Sequence, residues 1–245
     1  MEHPSLTSLS LTHVRYDPND VYSWISAHLA LVPQALMISY VTLLWATREI
    51  EVLIMFAGQL GCEALNFVLK RYLREARPTG KDIEEIHDVA MTEQRGYGMP
   101  SSHAQYVAFF SVYLSLFLLL RHDPVNHPNA SSTHIPTPFW QRLGLAVLSI
   151  ISAGAVAHSR IYLNYHSPKQ VYAGCAAGAG CAVAWFVATA IARRIGLVNW
   201  VLELPPMEWA RMRDLVVSES LEDAGWERYQ AALKLRAKEA LRKSR

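Results

Sequence analysis

The sequence contains long stretches without charged residues and few cysteines, and both features limit the classes of protein to which it can belong. Four stretches contain no Asp, Glu, Lys or Arg: residues 29–47, 104–120, 143–157 and 170–192. A fifth stretch, residues 52–68, contains only Glu63. Hydrophobic residues make up 51% of the chain, a high share for a soluble protein. The three cysteines lie in these stretches without metal-ligand spacing, so we interpret them as packing residues.

The apolar stretches predict membrane-spanning helices. A helix needs about 20 mostly apolar residues to cross the hydrocarbon core, and each stretch reaches or approaches that length with its flanks. The alternative is a soluble protein with buried helices, but five such runs exceed the core of one small domain. The first 28 residues are polar and predict no signal peptide.

The predicted fold is therefore all-α, a polytopic membrane helical bundle of about five transmembrane helices. We expect a polar N-terminal segment at residues 1–28, a transmembrane domain at 29–193 and an amphipathic helical tail at 194–245. The tail has apolar residues at helical spacing: Trp226, Tyr229, Leu233, Ala237 and Leu241. This helix either rests on the bilayer surface or packs against the ends of the spans.

The distribution of Lys and Arg predicts the orientation in the membrane. Five crossings put the N-terminus and three polar clusters on one side, side A, and the tail on the other, side B. Side B holds 14 of the 23 Lys and Arg residues, so the positive-inside trend makes side B cytosolic. Asn129-Ala130-Ser131 is a glycosylation acceptor pattern on side B, and we expect it to be unused.

The first side-A cluster is "KRYLREARP". Lys70 and Arg77 are seven residues apart, which is two helical turns and predicts a shared face. Pro78 is expected to end that helix. On their own, these two cations could be the positive flank of a transmembrane helix.

The other two clusters supply a helix start and two histidines. "PSSH" ends at His103 and opens the third span, and a helix N-terminus is a ready phosphate site. "SRIYLNYH" contains Ser159, Arg160 and His166 at the junction of the last two spans. Three cations, one helix N-terminus and two histidines suit the binding of a phosphate, attack by one histidine and protonation by the other. No acidic cluster for Mg²⁺ stands beside them, so metal-independent phosphoryl transfer is predicted, with no cofactor.

In their order and spacing, these motifs resemble the three-part signature of the type-2 phosphatidic acid phosphatase superfamily. The resemblance covers about residues 70–170 and implies a helical membrane bundle. It implies that Lys70, Arg77 and Arg160 bind phosphate together with Ser101 and the backbone N–H of Ser102. These five residues form the phosphate cradle that the resemblance predicts. It further implies that His103 is the general acid and that His166 is the nucleophile forming a phosphohistidine.

Two positions depart from the superfamily pattern. Ser102 replaces the usual Gly, which is tolerable if its φ is negative and it contributes only its backbone N–H. Gln170 replaces the usual Asp that fixes the nucleophilic ring. Its carbonyl oxygen can still accept a hydrogen bond from Nδ1–H of His166, although it brings no charge. We hypothesise that Glu63, a costly acid inside a span, tunes the basic site or partners His166.

Glu63, Asn66 and Lys70 in "EALNFVLK", together with Gln170, resemble one branch of the superfamily. That resemblance implies removal of phosphate from dolichyl diphosphate at the lumenal face of the endoplasmic reticulum, which recycles the carrier lipid for glycosylation. A polyisoprenoid diphosphate and the bilayer are then the expected partners, with no nucleic acid. The alternatives are a phosphatase of phosphatidate, a sphingoid phosphate or an undecaprenyl carrier, a non-enzymatic binder or carrier of anionic headgroups, and a vanadate-binding oxidase.

Overall fold

The computed structural model describes residues 7–9, 14–78, 97–122, 137–218 and 226–243, and it confirms the predicted all-α membrane bundle. Within these residues, five helical segments are long and apolar enough to cross a membrane. They are α1 with α2 (Val21–Leu29 and Val32–Thr47), α3 (Ile50–Leu73), α4 (Ser102–Leu116, extended by a π-helical turn Phe117–Arg121), α5 (Phe139–Tyr162) and α6 (Pro168–Arg194). The five predicted spans are therefore confirmed.

Shorter elements flank the bundle. Two strands, β1 (Thr7–Leu9) and β2 (Val14–Tyr16), form an antiparallel hairpin in which Thr7 pairs with Tyr16. After α6 come α7 (Leu197–Leu202), α8 (Pro205–Trp209) and α9 (Trp226–Lys243). The tail predicted as one amphipathic helix from residue 194 is thus helical in separate pieces. The glycosylation pattern at Asn129 lies outside the described residues.

The segment before α2 is part of the folded bundle rather than only a polar leader, and the predicted boundary at residue 28 falls inside α1. Asp20 caps α1 by accepting from the backbone N–H groups of Tyr22 and Ser23, and it also accepts a 2.6 Å hydrogen bond from the Tyr162 hydroxyl at the end of α5. Val14, Ala27 and Ala30 form a small buried cluster against the loop that follows α5. The N-terminal segment therefore buttresses the side-A end of the bundle.

Helix α3 ends earlier than the sequence predicts. Arg74 adopts the left-handed conformation at φ 47° and caps the helix, four residues before Pro78. Arg77 therefore lies beyond the helix, and the predicted shared helical face of Lys70 and Arg77 is wrong. The physical reason is that the chain turns at Arg74 and continues as an irregular segment over residues 74–78.

The side-B ends of the helices are joined by buried charges. Glu51 of α3 accepts from Arg121 at 2.5 Å and from Arg193 of α6 at 2.5 Å, while the Tyr113 hydroxyl donates to Glu51 at 2.9 Å. Farther along the chain, the backbone of Arg213 bonds to the α2–α3 junction, and its side chain pairs with buried Glu49. These contacts fix where α3, α4 and α6 meet on the side opposite the three motifs.

Helix α4 lies at the centre and is pressed closely against α6. It contacts α3, α5 and α6, and its Phe109 and Tyr113 are fully buried. A Cβ atom at Gly174 would lie 2.6 Å from the carbonyl oxygen of Ser101, and one at Gly178 would lie 2.2 Å from that of Gln105. The absence of side chains at these two glycines therefore permits the close approach of α6 to α4.

Gly178→Ala should destabilise the bundle because the new methyl group collides with the α4 backbone. We expect the free energy of unfolding to fall by about 1–3 kcal/mol, the usual effect of overpacking. Thermal unfolding of the protein in detergent measures the change. Gly180→Ala is the matched control, since a Cβ there meets nothing within 4 Å, and its unfolding temperature should stay level or rise. Equal responses of the two variants would contradict the close packing.

Candidate active site

The "PSSH" turn places the N-terminus of α4 at the side-A end of the bundle. Ser101 is the N-cap residue, is fully buried, and donates its backbone N–H to the carbonyl oxygen of Gln170 at 3.1 Å. The Ser101 hydroxyl makes no capping bond and has no partner among the described residues. Ser102 opens the helix and is not among the described residues with positive φ, so the condition for replacing Gly is met. The first N–H groups of α4 remain available to an anion.

The ring of His103 is held by the N-terminal segment. Its Nε2 lies 3.1 Å from the carbonyl oxygen of Ala30, between α1 and α2. A carbonyl can only accept, so Nε2 carries the proton and Nδ1 is left to face other groups. The ring lies within electrostatic range of His166, Arg160 and Lys70. Ala30 carries no motif signal in the sequence, because its contribution is a backbone atom.

The loop between α5 and α6 places His166 beside Gln170. Asn164 takes the left-handed conformation at φ 57°, and the N–H groups of Tyr165 and His166 both donate to the carbonyl of Arg160. His166 is 3% exposed, and its Nδ1 lies 3.2 Å from Oε1 of Gln170. Ser167 then begins α6 with a capping box in which Gln170 takes part. The local capping motif therefore places the side chain of Gln170 beside His166.

The surroundings of Gln170 determine which way its amide points. Its Nε2 donates to the carbonyl oxygen of Ala76 at 2.8 Å and to Oε1 of Glu75 at 3.2 Å, and both of these atoms are acceptors. Its Oε1 accepts from the backbone N–H of Ser167 at 3.3 Å. The oxygen must then face His166, so Nδ1 of His166 is the donor and Nε2 keeps its lone pair.

Three cations surround His166. Arg160 is 4% exposed and its guanidinium lies over the ring of Tyr165 at 4.5 Å, a cation–π contact. Nε and Nη1 of Arg160 and Nε of Arg77 are buried without a hydrogen-bond partner among the described residues. Lys70 is half-buried at the end of α3. Buried donors without acceptors are uncommon in folded proteins, so this cluster is suited to bind an anion.

The electrostatic environment keeps His166 neutral. Burial is the largest cause that lowers the pKa of His166, to about 4, and the charges of Arg77, Arg160 and Lys70 act in the same direction. The hydrogen bond with Gln170 raises the pKa of His166, but its effect is smaller than that of burial. A neutral imidazole with a free Nε2 lone pair is the form needed for a nucleophile.

The other two predicted supporting residues lie deeper. Asn66 donates to Oε1 of Gln105 at 2.7 Å, and Gln105 in turn donates to the carbonyl of Cys62 at 2.8 Å. Asn66 thus ties α3 to α4. One carboxylate oxygen of Glu63 is buried and has no partner within the described residues. The bond at Nδ1 of His166 belongs to Gln170, and Glu63 lies within electrostatic range of Lys70.

Sequence reasoning missed Glu75 as a site residue. It stands two residues before Arg77, inside the first cluster, and that position in a basic motif is the signal that could have identified it. Among the residues that the structure describes, no group of three or more His, Cys, Asp or Glu is arranged to hold a metal ion.

The fold and the site define a multi-pass helical membrane protein with a cluster of buried cations and two histidines at one end of the bundle. The sequence profile of the PAP2 superfamily, the type-2 phosphatidic acid phosphatases, matches residues 50–194. The protein belongs to this superfamily. The predicted resemblance to it is therefore confirmed.

Similar proteins include two from fungi and one from human. A Neurospora crassa protein, provisionally named a dolichyldiphosphatase, is 45% identical and the match covers 92% of each chain. Human dolichyldiphosphatase 1 is 37% identical over 74% of the chain and 71% of its own. The dolichyldiphosphatase of Saccharomyces cerevisiae is 30% identical over 92% of the chain and 90% of its own. No solved structure gives a significant match.

The lowered pKa of His166 predicts a specific loss of stability in acid. The unfolded chain takes up a proton as the pH falls below its ordinary pKa of about 6.5, whereas the folded protein does so only near pH 4. Stability is therefore lost between those values as the pH falls. From pH 7 to pH 5 we expect the wild type to lose about 1–2 kcal/mol more than His166→Asn. Thermal unfolding at both pH values checks this, and equal losses would contradict a neutral buried imidazole.

Proposed function

We propose that the protein is a metal-independent lipid phosphatase that hydrolyses dolichyl diphosphate to dolichyl phosphate and phosphate through a phosphohistidine. We also propose that it works at the lumenal face of the endoplasmic reticulum membrane and recycles the carrier lipid for protein glycosylation. The relatives' names support the substrate, and the geometry around His166 supports the reaction.

The observation that carries the proposal is the set of buried donors around a neutral histidine. Among the residues that the structure describes, Arg160, Arg77 and Ser101 each have a buried polar atom without a partner, and Nε2 of His166 keeps its lone pair. A terminal phosphate has three oxygens that accept such donors, and guanidinium groups match its geometry. With Lys70 and the backbone N–H of Ser102, these groups form the cradle that holds the phosphate.

In the first step, Nε2 of His166 attacks the terminal phosphorus. The bond from phosphorus to the bridging oxygen breaks, and dolichyl phosphate leaves with a proton supplied by Nδ1 of His103. The carbonyl of Ala30 keeps that ring oriented, while the negative charge of the bound phosphate favours its protonated form. The cations stabilise the charge that spreads over the equatorial oxygens.

In the second step, water attacks the phosphohistidine and the phosphorus–nitrogen bond breaks. His103 now accepts a proton from the water, which returns both histidines to their starting states. Between the two steps His166 is cationic, and Gln170 orients its ring by accepting from Nδ1. Asn66 supports the site by fixing α3 against α4, and Glu63 balances part of the positive charge near Lys70.

Phosphate release from dolichyl diphosphate in detergent with excess EDTA tests the activity. We expect release to survive EDTA, to fall at least about 10³-fold in His166→Ala and to fall about 10²- to 10⁴-fold in His103→Ala. Exposed His158 on α5 provides the matched control, and His158→Ala should retain wild-type activity.

Rival substrates separate this proposal from related ones. Dolichyl monophosphate, undecaprenyl diphosphate, a sphingoid phosphate and phosphatidate are assayed in parallel. Preference for phosphatidate would retain the mechanism and overturn the substrate. Release that needs a divalent cation would overturn the metal-independent mechanism, and the absence of His166-dependent release from every lipid would favour a headgroup binder.

The orientation can be tested at the acceptor pattern on side B. If side B is cytosolic, Asn129 never meets the lumenal glycosylation machinery, and digestion with an N-glycosidase should leave the electrophoretic mobility unchanged. An acceptor sequence introduced within residues 79–96 on side A should be glycosylated and serves as the positive control. Glycan on Asn129 would reverse the proposed topology.

A further inference from the structure

Glu75 supplies a carboxylate one hydrogen bond behind Gln170. The Gln170 amide bridges two groups, because its oxygen accepts from Nδ1 of His166 at 3.2 Å and its nitrogen donates to Oε1 of Glu75 at 3.2 Å. A chain of two hydrogen bonds therefore connects the histidine to a carboxylate, through a residue that has no charge of its own.

The structure restricts the amide to this orientation. Gln170 is 1% exposed, and the Ala76 carbonyl and the Ser167 N–H hold its two ends. Gly98 closes over it: a Cβ at that position would lie 2.8 Å from both amide atoms, and the Gly98 N–H donates to the Glu75 carbonyl at 2.7 Å. The backbone of the Glu75 segment is thus fastened to the loop that covers the amide.

Glu75 is charged at neutral pH and has a second partner. Lys169 donates to its Oε2 at 2.9 Å, and this bond and the one from Gln170 lower the pKa of the Glu75 carboxyl. Lys169 is 72% exposed, and such an ion pair in water contributes little. The Glu75 side chain is 31% exposed, with one oxygen directed to the buried amide and the other to the surface lysine.

We propose that Glu75 is a positioning residue for His166 and acts through the Gln170 amide, so that the pair serves as the carboxylate of the site. This inference rests on the proposed function, in which His166 becomes cationic when its Nε2 bonds to phosphorus. The carboxylate polarises the amide, and the amide oxygen stabilises the imidazolium at Nδ1. Because the effect appears only once the ring is charged, it should alter kcat and leave KM nearly unchanged.

Glu75→Gln is the first test, since it keeps the size of the side chain and removes its charge. The charge of Glu75 acts on the ring across two hydrogen bonds and is partly screened by water, since its side chain is 31% exposed, so we expect about a threefold to tenfold loss of kcat. KM for dolichyl diphosphate should change by less than about twofold if ground-state binding is retained. Glu208→Gln makes the same change at an exposed position of α8 and should keep wild-type kcat.

A double-mutant cycle shows whether the effect passes through the amide. In the Gln170→Ala background the connection is broken, so adding Glu75→Gln should change kcat by less than about twofold. The combination of Gln170→Glu with Glu75→Gln moves the carboxylate next to His166, and it should have a higher kcat than Gln170→Glu alone, in which two carboxylates adjoin. A merely structural Glu75 would instead lower the unfolding temperature without this dependence on residue 170.

The outcomes separate this inference from the proposed function. Loss of phosphate release in His166→Ala with full kcat in Glu75→Gln would overturn the positioning role of Glu75 but leave the proposed phosphatase activity standing. Equal losses on adding Glu75→Gln to the wild type and to Gln170→Ala would also overturn the positioning role. If the wild type shows no His166-dependent release, both the proposed function and the positioning role of Glu75, which rests on it, are overturned.

Discussion

The hydrogen bond between the backbone N–H of Ser101 and the carbonyl of Gln170 is the contact on which the site depends. It joins the start of α4 to the first turn of α6, and it forms because Gly174 lets those two backbones approach closely. The N-terminus of α4 and His166 thereby belong to one packed unit at the side-A end of the bundle. Asn66 and the buried charges at the opposite end of the bundle hold α3 against the same pair of helices, which brings Lys70 to that unit.

The site contains several buried positive charges, and buried charges are energetically costly in a membrane protein. Arg160 and Lys70 lie at the ends of apolar helices, and the guanidinium of Arg160 obtains part of its stabilisation from the face of Tyr165 rather than from a carboxylate. A carboxylate in direct contact with these cations would offset part of their charge. Glu75 instead lies behind the Gln170 amide and is connected to His166 without touching its ring. In the proposed mechanism, this arrangement separates the binding of an anion from the stabilisation of a cationic ring.

The spans and motifs were predictable because their signals are local. Charge-free runs follow from the lack of solvation in lipid, and the order of Lys70, "PSSH" and His166 can be read directly along the chain. The contribution of Glu75 was not predictable, because it depends on an amide from a residue 95 positions away. The end of α3 was also missed, since Arg74 in a left-handed conformation has no sequence signature comparable to that of Pro78. Likewise, the separate pieces of the tail reflect the attachment of Arg213 to the α2–α3 junction, a tertiary contact that the helical pattern does not reveal.

The bond from His103 to the Ala30 carbonyl has a consequence for how the functional unit is delimited. The superfamily profile covers residues 50–194, yet the carbonyl group that orients the ring of His103 lies 20 residues before that region, in a segment anchored by Asp20 and Tyr162. A boundary drawn from sequence similarity therefore separates His103 from the residue that orients it. In chimaeras that exchange only the matched region between relatives, His103 comes from one protein and the carbonyl that orients it comes from the other. The turnover of such hybrids therefore depends on the junction as much as on the motifs.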